Sequence, residues 1–157
     1  MRSGVRLGID VGKARVGIAR SDFHGILATP VETVARAASG GADIARILSI
    51  AREIDAIEFI VGLPLSMSGG STASTADAEE FAARCAQVFE HPVRMIDERL
   101  TTVSAQSALH KTGRTTKNSR SVIDQVAAVI LLQHALDVER ASGRPPGVVV
   151  DKTSRIS

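Results

Sequence analysis

The sequence predicts an α/β domain built on a mixed five-stranded sheet covered by helices, and three observations lead there. Up to Ala35 the chain carries three short apolar runs separated by turn residues, without helical periodicity, which is the pattern of an antiparallel meander. Beyond Gly40-Gly41, strand-like runs alternate with segments whose apolar residues recur at helical spacing, implying parallel strands joined through helices. At 157 residues, 44% hydrophobic and 23% charged, the chain has the material for one core rather than for a disordered segment.

Val5 to Val11 reads as a buried strand and Val16 to Ser21 as a second, with Gly12-Lys13-Ala14 as the turn between them. Thr29 to Val34 is the third; Pro30 near its start lacks an N–H and so belongs at a sheet edge. Ile44, Ile47, Leu48, Ala51 and Ile54 mark a helix. Ile57 to Gly62 is a strand ended by Gly62-Leu63-Pro64. Ala78, Phe81, Cys85, Val88 and Phe89 mark the next helix, with Ser74 and Asp77 spaced as its start. Val93 to Ile96 is a short strand, and Thr101 or Thr102 caps a helix running to about His110. Residues 111–120 read as an exposed flexible loop. Ile123, Val126, Ala127, Ile130, Leu131, His134 and Val138 then form a last long helix. The order is β-β-β-α-β-α-β-α-α. One domain spans 1–140, and 141–157 is a flexible tail, or an edge strand through Val148-Val149-Val150.

A formal charge of +2 is too small to demand a polyanionic partner, so its distribution matters more. Among the first twenty residues Arg2, Arg6, Lys13, Arg15 and Arg20 face one acid, Asp10. Arg99, Lys111, Arg114, Lys117 and Arg120 accumulate over Arg99 to Ile123, where no acid occurs. Such local excess is the footprint of a phosphate-backbone binder, and equally that of a solvated basic loop. With no Trp, no Tyr and four Phe, base stacking has little to work with, so a binder of this kind would hold phosphates and shape.

The lone Cys85 excludes an internal disulfide and falls on a helical apolar stripe, which suits an inert thiol in a reducing compartment. His24, His91, His110 and His134 show no zinc-ligand spacing. There is no nucleophile elbow, and the glycine- and hydroxyl-rich stretch Gly62 to Ser71 lacks the ending of a nucleotide-binding P-loop. No signal peptide or membrane span is visible, and the cytoplasm is the expected location.

Three acids stand where a side chain escapes the core: Asp10 after the first strand, Glu98 after Val93 to Ile96, and Asp124 at the start of the last helix. Brought together, they would form an oxygen-rich pocket suited to Mg²⁺ or Mn²⁺. Each has a plainer reading. Asp10 could be turn chemistry. Asp97 competes with Glu98, because neighbouring strand residues point to opposite faces. Ser121 and Asp124 have capping-box spacing, so Asp124 could serve only the helix start.

Gly8-Ile-Asp10-Val-Gly12-Lys-Ala-Arg15-Val-Gly17-Ile-Ala19, Val61-Gly-Leu-Pro-Leu65, Asp97-Glu98-Arg99-Leu-Thr101-Thr102 and Asp124-Gln-Val-Ala127-Ala128 followed by Ile130-Leu-Leu-Gln133 together resemble the YqgF family. The likeness spans Leu7 to about Leu136. It implies a ribonuclease H-like fold and a nuclease acting on structured nucleic acid, either maturing the 5′ end of pre-16S rRNA within a ribosomal precursor or resolving branched DNA at Holliday junctions. It implies that Asp10, Glu98 and Asp124 are both catalytic and metal-binding, and it selects Glu98 over Asp97. Ser68 stands where many relatives carry an aspartate.

That ligand set leads to the expectation of two divalent cations, Mg²⁺ or Mn²⁺, one activating water and one stabilising the leaving oxygen, with no protein nucleophile. Lys13, Arg15, Arg20, Arg99, Lys111, Arg114, Lys117 and Arg120 are the expected backbone contacts, in a monomer or a homodimer without membrane association. A non-catalytic nucleic-acid module and an actin-like phosphotransferase are the competing classes. The latter closes two domains on its nucleotide, and this chain supplies one.

Overall fold

The computed structural model describes residues 1–99 and 118–152. Its elements are β1 (Arg6–Val11), β2 (Arg15–Ser21), β3 (Ala28–Ala35), α1 (Ala42–Glu53), β4 (Glu58–Leu63), α2 (Ala73–Val88), β5 (Val93–Asp97), α3 (Asn118–Ser142) and β6 (Val148–Val149). The sheet runs β3-β2-β1-β4-β5-β6. The meander β1-β2-β3 is antiparallel, β4 and β5 add parallel to β1, and β6 closes the far edge antiparallel to β5. Pro30 sits on the edge strand as expected, where the β2–β3 register shifts.

The sheet thus has six strands rather than five. Residues 118–120, expected in a loop, open α3 instead. That start also removes the capping reading of Asp124, because Ser121 lies inside the helix and Asp124 beyond its first turn. The start of α2 differs too. Thr72 is the N-cap, its hydroxyl accepting from Thr75 N–H while the Thr75 hydroxyl accepts from Thr72 N–H, so Ser74 and Asp77 are inside the helix. The helix expected from Thr101 to His110 and the loop over 111–117 lie outside the described residues.

Strand alternation divides the core in two. Leu7, Ile9, Val16, Ile18, Phe59, Val61, Val93 and Met95 pack with α1 and α2 on one face. Ala19, Ile60 and Ile96 pack with Ala128, Leu131, Leu132, Ala135 and Leu136 of α3 on the other. Cys85 is fully buried in the first layer, which pushes its thiol up to about 12, so the expected inert cysteine is what the fold contains.

At the amino end of β1 the α3 face carries a buried ion network. Arg2 Nη2 donates to Glu139 Oε1 at 2.6 Å and to Glu58 Oε1 at 3.0 Å; Arg6 Nη2 donates to Glu139 Oε2 at 3.0 Å; Arg94 Nε donates to Glu58 Oε2 at 2.7 Å. Burial alone would raise Glu139, but the hydrogen bonds and charges of Arg2 and Arg6 outweigh it and bring its carboxyl from 4.5 down to about 2. A carboxyl depressed in the folded state stabilises the fold while ionised. This contribution is complete above the ordinary value of 4.5 and drains away as pH falls towards 2. Glu139→Gln should therefore cost roughly 3 kcal/mol at neutral pH. Thermal melts from pH 7 to pH 2 should show a shallower acid limb for the variant than for the parent. Parallel acid limbs would separate Glu139 from acid stability.

Candidate active site at the carboxyl ends of the parallel strands

Asp10, one residue before the end of β1, lies on the α3 face and is paired across the ladder with Gly17 of β2. Gly17 is where the helix comes closest: a Cβ there would lie 2.0 Å from the Asp124 carbonyl oxygen. Only a residue without a side chain allows that approach, and it seats Asp124 over the Asp10–Gly17 pair. Glu98 follows β5 by one residue, its N–H donating to Leu63 O at 3.2 Å. Its alternation matches Ile96, on the α3 face, whereas Asp97 is exposed and holds Arg99 through Nη2 at 2.5 Å. Gly62 of β4 gives Glu98 its room, since a Cβ there would stand 2.2 Å from Glu98 Oε2.

The carboxyls of Asp10 and Glu98 are hydrogen-bonded to each other. Burial pushes both upward. The charge of Asp124 adds to the rise at Asp10, and that of Asp10 to the rise at Glu98, so each makes the other harder to ionise. Asp124 is neutralised differently: its Oδ2 accepts from Arg15 Nε at 2.8 Å. Among the described residues, no three His, Cys, Asp or Glu side chains already form a cage for an ion. The geometry is a carboxyl pair with a third carboxylate above it, turned onto an arginine.

The donor set nonetheless fits a hard divalent cation. It is all oxygen, carried at the ends of β1 and β5 and on the second turn of α3, and its crowded carboxyls would gain from a positive charge.

The basic residues divide. Lys13 is exposed in the β1–β2 turn and lines a cleft of about 280 Å³ with Arg36, Ala73, Ser74 and Asp77. Arg99 also reaches Met67 O at 3.4 Å, tying the loop after β4 to the end of β5. Arg20 pairs with Leu7, about 16 Å along β2 from Arg15 at strand rise, so the fold does not bring it to the acids. Arg120 lies on the first turn of α3, and Lys111, Arg114 and Lys117 fall outside the described residues. Sequence reasoning missed Arg36, which donates to Gly12 O at 2.8 Å and to both oxygens of Asp77, bracing the turn after Asp10. It also left Gly17 without a structural role and gave Gly62 only that of ending its strand, although glycine inside a strand pattern signals close approach.

Thermus thermophilus RuvC has this architecture, with a TM-score of 0.54 at 15% identity over 93% of this chain and 99% of that one. The structure of Thermus thermophilus RuvC in complex with Holliday junction substrate scores 0.50 over 94% of this chain and 99% of that chain. The fold is therefore ribonuclease H-like. Residues 4–138 match the family model described as RuvX, Holliday junction resolvase, and the chain belongs to that nuclease family. Relatives carrying the name "Putative pre-16S rRNA nuclease" come from Clavibacter michiganensis subsp. michiganensis (62% identical over 97% of this chain and 94% of that protein) and Nocardioides sp. (53% over 98% and 100%). One from Streptomyces coelicolor is 48% identical over 96% and 90%.

Gly62→Ala tests the geometry without touching an acid. The clash falls on the far end of a flexible side chain, so the fold should survive with a melting temperature within a few degrees of the parent. Nuclease activity should fall by roughly tenfold or more, because the Glu98 carboxyl has to leave its position. Full activity would show that Glu98 does not need that place.

Proposed function

We propose that this chain is a divalent-cation-dependent nuclease that hydrolyses phosphodiester bonds in structured nucleic acid, with the 5′ end of pre-16S rRNA as its substrate. The observation that carries this reading is the Asp10–Glu98 carboxyl pair at the ends of parallel strands, with Asp124 of α3 seated above it. Asp10, Glu98 and Asp124 would hold Mg²⁺ or Mn²⁺. A bound cation supplies Lewis acidity to a phosphate oxygen and acidifies a water at neutral pH. The chain's own part is to exclude bulk water from one side through the α3 packing and to orient three carboxylates from rigid elements. Lys13, Arg15, Arg99 and Arg120 lie on segments bordering that end of the sheet, suited to backbone phosphates; Lys111, Arg114 and Lys117 are assigned by charge alone. The names of the relatives favour the ribosomal precursor. The description of the family favours a second reading, cleavage of four-way DNA junctions.

The test incubates the protein with a pre-16S rRNA fragment and with a four-way DNA junction, in Mn²⁺ and in chelator. Cleavage of the RNA should require the cation, and Asp10→Asn should lower it by at least roughly 10²-fold. Selective junction cutting would favour the second reading. Cleavage by Asp10→Asn at the parent rate would rule out this site.

A further inference from the structure

The three carboxylates are neutralised in two different ways. Asp10 and Glu98 satisfy each other, whereas Asp124 Oδ2 is held by Arg15 Nε at 2.8 Å. Arg15 opens β2 two residues before Gly17 and so lies on the same face of the sheet. At Gly17 the strand meets the Asp124 backbone directly, which fixes both main chains. The two side chains remain partly exposed, at 36% for Arg15 and 18% for Asp124, and keep room to turn. Asp10 lies opposite Gly17, and its carboxyl already feels the charge of Asp124. With both main chains held there, side-chain rotation is the movement that would turn Asp124 from Arg15 towards Asp10.

We propose that Arg15 is an exchangeable counter-cation for Asp124. It occupies the third carboxylate while no divalent cation is bound, and it gives that carboxylate up to the cation, becoming available to a backbone phosphate of the substrate. The inference rests on the nuclease reading of this site and adds a positioning role for Arg15. A carboxylate left alone in a partly buried site is costly, so an internal partner stabilises the cation-free protein. A guanidinium suits both partners, because its planar fork matches carboxylate and phosphate alike. Since cation and arginine compete for Asp124, and the released arginine favours phosphate, cation binding and nucleic-acid binding each strengthen the other by the same factor.

Calorimetric titration of Mn²⁺ into the full chain without nucleic acid tests this. Arg15→Ala should bind Mn²⁺ roughly threefold or more tightly than the parent, as loss of a partly exposed competing ion pair predicts. A merely structural arginine would give weaker binding or none. Lys13→Ala removes the same charge from the neighbouring turn without touching Asp124, and should shift the affinity far less. In an Asp124→Asn background the effect of Arg15→Ala should vanish. Should Arg15→Ala fail to fold, Arg15→Lys carries the test, because it keeps the charge and loses the Nε–H edge; a smaller tightening is expected. Equal or weaker Mn²⁺ affinity in the folded Arg15 variants overturns the proposal, as does equal tightening in Lys13→Ala. Asp10→Asn distinguishes the two failures. If it abolishes Mn²⁺ binding while the Arg15 variants match the parent, only the exchange is wrong. If it binds Mn²⁺ like the parent, or if neither parent nor Arg15→Ala binds, the site itself is wrong.

Discussion

A carbonyl oxygen of α3 occupies the space that a side chain at residue 17 would need, and Leu132 Cβ comes within 2.8 Å of a Cβ position at Gly8. Close approach of the long helix to β1 and β2 is the constraint on which the layout of this molecule rests. Two glycines in strands cost about 0.5–1 kcal/mol each in backbone entropy. Burial of Leu131, Leu132 and Leu136 returns about 1.5–3 kcal/mol apiece, so the close seat is favourable on packing alone. It also fixes register, because Arg6, Gly8 and Asp10 share one face of β1, and a slip by one residue would turn all three away from the helix. The helix is then pinned at both ends by ion pairs to the same strand pair. Glu139 meets Arg6 with both side chains buried, and Asp124 meets Arg15 with both partly exposed.

Most of the sheet was legible because each strand carries its own apolar run and each turn its own glycine or proline. What escaped depended on partners far along the chain. Alternation says that Asp97 and Glu98 point to opposite faces, but not which face α3 covers; only Ile96 packing against that helix assigns Glu98 inward. The first turn of α3 was hidden because Asn118, Ser119 and Arg120 carry no apolar period for the sequence to show. The spacing of Ser121 and Asp124 then imitated a cap. Thr72 and Thr75 form a reciprocal cap with threonine where the usual pattern has Glu or Gln, so the spacing drew attention two residues too far along. Strand β6, which the sequence offered only as an alternative to a flexible tail, is present as the edge strand Val148–Val149 because β5 offers an edge, with Lys152 Nζ donating to Phe89 O and His91 O beyond it. Asp10 and Asp124 were singled out as acids, but the Arg15–Asp124 pair joins positions 109 residues apart, and nothing local in the sequence announces it.

The two ends of β1 treat acids in opposite ways, and the contrast bears on whether the carboxyl cluster is structural. At the amino end, Glu58 accepts from Arg2 and Arg94, Glu139 accepts from Arg2 and Arg6, and Glu139 is held far below the ordinary carboxylate range. There the fold buries its acids by pairing each with arginines. At the carboxyl end, Asp10 and Glu98 lie against each other with both carboxyls raised, and one arginine serves the third. Raised carboxyls oppose folding at neutral pH, because part of their preference to ionise is given up on burial. The same chain commands the pairing chemistry that would remove this strain, and it places that chemistry at the other end of the sheet. A structural role for Asp10 and Glu98 would leave the strain without a return. A positively charged ligand would supply one, since the crowding that raises both carboxyls would also strengthen their hold on a cation.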